Sequence, residues 1–419
     1  MLMFLPHPET HMERHDLFLL NDSVASFMIR SATLTQAWLL RLNALLPTLR
    51  KGDTFKVTVV HRSVSFEFEG WIQVNRCSSV ATSSDLNGYS YLVQKDYESH
   101  ILSEEQGYDG LNKTEPLLDT APKLFGLMPR GAHIEQSSPL YPFELTEKES
   151  LWAKNVTRLY EEAKQNQWSA DTDIEWDAIP DLPPEIETAI AQVMTYLAEN
   201  EFSALYIPGK FLSKISPYYM ELVMFLGTII YDETRHIEVF SRRANAKKIG
   251  LQYSTTATQR SLYSLFIEKD YFKTSFLLHV LGEGTFLDLL DFLIKYAPDP
   301  VTKKIVTLAK KDEQRHVNYG LVHVKALIQA NPKRMDYLKD AVESRKAYLD
   351  EMNQENELLL SSLAILAGGS DEEGYELGYE RVQQLKKRMG ENRIRRMIEC
   401  GFDEETAKEI SMSHTANFM

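Results

Sequence analysis

The segments IIYDETRHIEVF (Ile229 to Phe240) and AKKDEQRHVNYG (Ala309 to Gly320) each contain Asp-Glu-x-Arg-His, with their glutamates 80 residues apart. A glutamate and a histidine three positions apart lie on one helix face, a turn from each other. A carboxylate and an imidazole on one face can share a divalent metal. The same pair written twice therefore points to a two-metal chemistry.

The surrounding periodicity shows which face carries these pairs. Around the first motif the apolar stripe is Leu222, Phe225, Leu226 and Ile229, continuing through Glu233 and His236 to Phe240. The second repeats it with Ile305, Ala309, Glu313, His316 and Gly320. Both pairs thus occupy the face that should be buried. The helix before each motif adds one more acid. Glu201 continues the stripe Ile186, Ile190, Val193, Leu197 toward Leu205, and Glu283 continues Phe272, Phe276, His279 toward Phe286 and Leu290. Glu199, by contrast, falls about 160° away at about 100° per residue.

An uncompensated buried carboxylate costs several kcal/mol, so four would exhaust an ordinary stability of about 5–15 kcal/mol. Two divalent cations balance four glutamates and two neutral histidines. Glu-x-x-His on two helices with single glutamates on two others is the ligand set of dimetal carboxylate sites in four-helix bundles. Oxygen-rich, imidazole-containing ligands suit iron or manganese. The expected metal ligands are Glu201, Glu233, His236, Glu283, Glu313 and His316.

Residues beside these ligands have supporting roles to fill. Asp232 and Asp312 are placed to accept the second N–H of the histidine on the opposing helix, and Arg235 and Arg315 to pair those aspartates. A surface ion pair is the competing reading for the arginines. His279 could be an extra ligand or a proton carrier, against the alternative of a satisfied core histidine. Gly282 and Gly284 flank Glu283 in mid-helix at about 1 kcal/mol each relative to alanine. They imply a π-bulge or room for substrate, or else close helix packing. His7, His11 and His15 have helical spacing without acids in register, and are read as solvated.

Glu201 and Glu233 lie 32 residues apart, and Glu283 and Glu313 lie 30 apart. At a rise of about 1.5 Å per residue, about 12 helical residues on each side of a short turn bring antiparallel helices level. IPGKFLSKISP and YAPDP sit near the two midpoints. Two such hairpins joined by a long crossover make a four-helix bundle. Helical periodicity begins near Thr146 and breaks at IPDLPPE, IPGKFLSKISP, KYAPDP and QANPKR. LAGGSDEEG then precedes a final helical segment.

The preceding region reads differently. SFMIRSATLTQAWLLRLNALLPTLR has the look of helix, and TFKVTVVHRSVSFEFEGWIQV alternates (Val64, Phe66, Phe68) as a strand hairpin would. LFGLMPRGAHIEQSSPLYPFEL is an irregular connector. The expected organisation is a small α+β unit over 1–145 with no readable chemistry, a mainly α bundle over 146–367, and a C-terminal helical segment and tail over 368–419.

The 419 residues are 43% apolar and 25% charged, ordinary for a globular protein. A net charge of −14 argues against a nucleic-acid surface. Cys77 and Cys400 are too few for a disulfide framework, which suggests a reducing cytoplasm. The first residues lack a cleavable signal pattern, and no run of about 18 apolar residues predicts a membrane span.

ENEFSALY, DETRHIEVF, LGEGTF and DEQRHVNYG, in that order, resemble the ferritin-like, ribonucleotide-reductase-like non-haem di-iron carboxylate proteins, over roughly Trp168 to His323. GEG around Glu283 and the Glu-aromatic-x-Ala at Glu201 look most like bacterial multicomponent monooxygenase hydroxylases. The resemblance implies one metal on Glu201, Glu233 and His236 and another on Glu283, Glu313 and His316, with Glu233 and Glu313 bridging. It implies two iron ions, or manganese or a mixed pair, and O2 as co-substrate. The implied activity is that of an O2-dependent di-iron oxidase or monooxygenase that hydroxylates, N-oxygenates or desaturates a small organic substrate.

The chain departs from each subfamily. Phe240 stands where ribonucleotide reductase small subunits usually carry the radical tyrosine, and the tail SMSHTANFM has no tyrosine for radical transfer. Leu287 replaces the hydroxylases' threonine, and Ala309 the extra histidine of the arylamine N-oxygenases. Ser203 and Leu278 stand where manganese/iron ligand-binding oxidases form a Val–Tyr crosslink. A radical subunit, a ligand-binding oxidase and a ferroxidase or storage protein remain the alternatives. With no cysteine cluster and no G-x-G-x-x-G, electrons should come from an external ferredoxin or reductase, or from the substrate. A homodimer is compatible with this class.

Overall fold

The computed structural model describes residues 23–97, 117–130, 132, 138–350 and 356–413. The N-terminal histidines and the last six tail positions lie outside them. Internal contacts divide the chain into two compact units, Met1–Thr114 with Gly131–Ser138, and Glu115–Arg130 with Pro139–Met419.

The smaller unit contains β1 (Ala25–Ile29), α1 (Gln36–Leu45), β2 (Thr54–Val59), α2 (Arg62–Val74), β3 (Cys77–Asp85) and β4 (Gly88–Lys95). The sheet order is β1-β2-β4-β3, with β1 parallel to β2 and the other pairs antiparallel. Two expectations are corrected here. Val64 to Val74 is helix, not the second strand of a hairpin. Val64, Phe68, Trp71 and Ile72 form its buried stripe while Phe66 is exposed, so spacings of three and four override the local alternation. The segment SFMI is strand rather than helix, because Ala25 to Ile29 pair in parallel with Phe55 to Val59.

The larger unit is helical: α3 (Val156–Gln165), α4 (Pro184–Leu212), α5 (Met220–Asn245), α6 (Thr256–Phe266), α7 (Tyr271–Ser275), a π-helical segment (Phe276–Glu283), α8 (Gly284–Tyr296), α9 (Pro300–Ala330), α10 (Arg334–Asp350), α11 (Glu357–Gly368), α12 (Glu372–Cys400) and α13 (Glu404–Ser413). Four rods, α4, α5, the continuous α7–π–α8, and α9, form a four-helix bundle. α4 with α5, and α8 with α9, are the two hairpins.

The expected break at IPGKFLSKISP falls in the second half of that segment. α4 runs through Pro208 to Leu212, and the chain turns only afterwards, before Met220. Ile207, Pro208 and Phe211 are buried, so packing outweighs the backbone hydrogen bond that proline cannot make. A buried ion cluster ties one end of the bundle together. Arg243 on α5 donates to Glu187 on α4 (2.9 Å), to Asp299 (2.9 Å) and to Thr302 on α9 (2.7 Å). Asp299 also caps α9 by accepting from the Thr302 N–H at 2.7 Å.

Candidate metal centre

Each rod brings one glutamate to the bundle axis. Glu201 on α4, Glu233 on α5, Glu283 at the end of the π segment and Glu313 on α9 are all buried, as are His236 and His316. Glu199 points elsewhere, accepting from Gln259 (3.0 Å) and from Ser254. Ligand atoms of Glu201, Glu233, His236 and Glu313 lie within 4.8 Å of one another, and so do those of Glu233, Glu283, Glu313 and His316. Glu233 and Glu313 belong to both groups.

The histidines enter from opposite sides. His236 Nδ1 faces inward, 3.1 Å from Glu233, 3.4 Å from Glu313 and 3.7 Å from Glu201. His316 Nδ1 lies 3.1 Å from Glu233 and 3.5 Å from Glu313. Each Nε2 points away, His236 to Asp312 and His316 to Asp232, both at 3.2 Å. Arg235 joins Asp312 (3.1 Å) and Asp232, while Arg315 joins Asp232 (2.9 Å) and Asp312. Both arginines are buried, so this is a closed cross-brace between α5 and α9 rather than a surface pair.

These residues fit a pair of divalent metals. Glu201 Oε1, Glu233 Oε1, Glu283 Oε1, both Glu313 oxygens and His316 Nδ1 are buried without a hydrogen bond. Such atoms are rare in proteins, and here they converge. Burial, then the charges of Glu233 and Glu313, pushes Glu201 well above the usual carboxylate range. Burial likewise raises Glu283, against the opposing pull of His279. Against its burial, His316 is raised well above the usual imidazole value by Asp232, Glu233 and Glu313. Without added positive charge the cluster holds protons instead.

The π segment explains how Glu283 reaches the others. Its wider turns carry Leu278 to Glu283, and His279 Nδ1 lies 2.7 Å from Glu283 Oε2. That contact occupies one Glu283 oxygen and leaves Oε1 facing the cluster. Two glycines allow the packing. A side chain at Gly320 would come within 2.4 Å of His279 Cβ, and one at Gly284 within 2.5 Å of Arg396 Nε. Both the bulge and the close packing weighed for Gly284 are therefore present.

Several surrounding residues gave no sequence signal. Trp168, in the irregular stretch before α4, donates its indole N–H to Asp312 at 2.7 Å and stacks on His236 at 6.2 Å. It lies 144 residues from Asp312, so no periodicity links them. Tyr319 and Tyr271 share a buried hydroxyl–hydroxyl hydrogen bond of 2.6 Å, and Tyr319 meets the His279 ring edge-on at 5.6 Å.

Fold and site together describe a helical bundle built around a buried carboxylate–histidine cluster suited to two metals. No family model matches the sequence, and no curated protein matches it. Among solved structures, the chain is similar to an R2-like ligand-binding oxidase variant with an aerobically reconstituted Mn/Fe cofactor (20% identity, 58% of this chain and 92% of that one, TM-score 0.43). A second variant has an Fe/Fe cofactor (19% identity, 58% and 92%, TM-score 0.43). A third has an anaerobically reconstituted Mn/Fe cofactor (20% identity, 57% and 92%, TM-score 0.40). No helix among the described residues is long and apolar enough to cross a membrane.

Proposed function

We propose that this chain is a dimetal oxidoreductase that uses O2 to oxidise a small organic substrate. The observation carrying the reading is the convergence of five hydrogen-bond-free carboxylate oxygens in a buried core. Glu201, Glu233, His236 and Glu313 would hold one metal, and Glu233, Glu283, Glu313 and His316 the other, with Glu233 and Glu313 shared. Iron or manganese suits these donors. When bound in its reduced form, such a pair supplies electrons for O2 reduction.

The protein's own contribution is positional. Asp232 and Asp312 hold the histidines with Nδ1 inward, and Arg235 and Arg315 pair with both aspartates and fix their positions. Phe225, Ile229 and Phe286, on the same rods as the cluster glutamates, are buried and would give a substrate an apolar surround. Cys77 and Cys400 are both buried and lie in different units, so electrons would come from a separate reductase or ferredoxin, or from the substrate.

A second reading, a protein that keeps an oxidising equivalent on a tyrosine, is favoured by one observation. The Tyr271–Tyr319 pair lies beside His279, itself bonded to Glu283. Metal analysis after anaerobic iron or manganese loading tests the common part, with about two ions per chain expected from the ligand arithmetic. A stoichiometry near zero overturns both readings. Electron paramagnetic resonance after O2 exposure separates them: a stable tyrosyl signal, lost in Tyr319→Phe, selects the second.

A further inference from the structure

We propose that the arginine cluster between α8 and α12 binds a small oxyanion, either a carboxylate or a phosphate. The reasoning mirrors that for the metal centre with the sign reversed, and it does not depend on that reading.

Arg393 is 8% exposed and the Arg396 side chain 12%, so both guanidiniums are largely out of water. Among the described residues a single carboxylate, Asp288 on α8, faces them. It lies 3.4 Å from Arg396 Nη1 and also accepts from Asn392. Two buried cations therefore share one anion. Their remaining contacts are long: Arg393 reaches Thr285 Oγ1 at 3.5 Å and Ser411 at 3.4 Å. Arg393 Nε, Arg396 Nε and Arg396 Nη2 are buried and make no hydrogen bond.

A third arginine lies close by. Arg345 on α10, bonded to Ser261 and Ser264, acts electrostatically on Arg393. Burial, then the charges of Arg396 and Arg345, brings Arg393 down to about 10.

An uncompensated buried cation is as costly as an uncompensated carboxylate. The guanidinium fork matches an oxyanion with two parallel hydrogen bonds, as chloride cannot. Gly284 contributes by lacking a side chain, since its Cβ would occupy the space of Arg396 Nε. The residue before it is Glu283, so the proposed anion lies on the outer side of the turn that carries a cluster glutamate.

The test is thermal unfolding of the purified full chain in sodium phosphate, sodium acetate and sodium chloride at matched pH and ionic strength. Concentrations stay in the low millimolar range, where general salting effects are small. The expected result is a saturable rise in Tm over chloride, with phosphate alone or acetate alone identifying the class. Arg393→Met and Arg396→Met should abolish the rise. Arg393→Lys, which keeps the charge and loses the fork, should weaken it, and it serves if the methionine variants do not fold. Equal melting in all three salts, an unsaturable rise, or a rise surviving in the variants overturns the proposal.

Discussion

His316 on α9 turns its Nε2 to Asp232 on α5 across 3.2 Å, and His236 on α5 meets Asp312 on α9 at the same distance. Each motif thus contributes an inward glutamate and histidine, together with the aspartate that orients the other motif's histidine. This exchange gives a physical reason for writing Asp-Glu-x-Arg-His twice. All five positions but the third are used, and each helix fixes the rotamers of its neighbour.

The exchange predicts graded losses of metal affinity. Asp232→Asn and Asp312→Asn should each weaken binding by about 10–100-fold while the fold persists. The Asp312 change should cost more, because Trp168 and His236 both depend on that carboxylate. Competition with a chromophoric chelator measures this, and unchanged affinity in both variants contradicts the assigned roles.

One double variant is predicted to affect both states of the protein. Glu233→Gln with Glu313→Gln removes carboxylates that stabilise the charged forms of His236 and His316, so the metal-free protein should melt below the parent. The rise in Tm on adding iron or manganese, expected for the parent, should disappear. Calorimetry with and without metal reads both.

His323 predicts a pH dependence away from the cluster. It is buried, lies 2.9 Å from Ser275 Oγ and 3.0 Å from the Ser150 carbonyl, and stacks on Tyr319. Burial lowers its pKa from 6.5 to about 4. The unfolded chain then binds a proton more readily, so this contribution is complete above 6.5 and lost as pH falls toward 4. The gap is worth on the order of 3 kcal/mol. Urea midpoints between pH 7 and 4 should fall, and His323→Gln should flatten that part of the profile.

Arg243 predicts a large single-site loss. It is 1% exposed and joins Glu187 and Asp299 across three helices. Arg243→Met leaves the buried Glu187 and Asp299 carboxylates without their countercharge, at a cost of roughly 3–5 kcal/mol. Adding Glu187→Gln should recover part of it, as a denaturation double-mutant cycle would show.

The inward glutamates and histidines were legible because a helix converts spacing into direction. A stripe of Leu222, Phe225 and Ile229 defines a face without any tertiary information, and Glu233 falls on it. Trp168 was not legible, since it reaches Asp312 from an irregular stretch that no period describes. Val64 to Val74 was misread because a helix with residues at 64, 68 and 71 buried also contains a short alternation. β1 depended on a partner strand some 30 residues later in the chain, which local propensity does not report. Pro208 in α4 shows the same limit, a local break signal overruled by burial on both sides.

Gly320 offers the sharpest test of how packing sets the centre. α9 approaches the π segment so closely there that an added Cβ would lie 2.4 Å from His279 Cβ. Both groups belong to packed helices, so Gly320→Ala must move His279 or separate the rods, at about 1–3 kcal/mol. His279 holds Glu283 Oε2 at 2.7 Å, and any shift of the imidazole carries that carboxylate with it. The metal that Glu283 and His316 would hold should therefore weaken more than the one that Glu201 and His236 would hold. Stepwise metal titration of Gly320→Ala should show one affinity near the parent value and one reduced. Equal weakening of both steps, or of neither, would show that His279 does not transmit packing at Gly320 to Glu283.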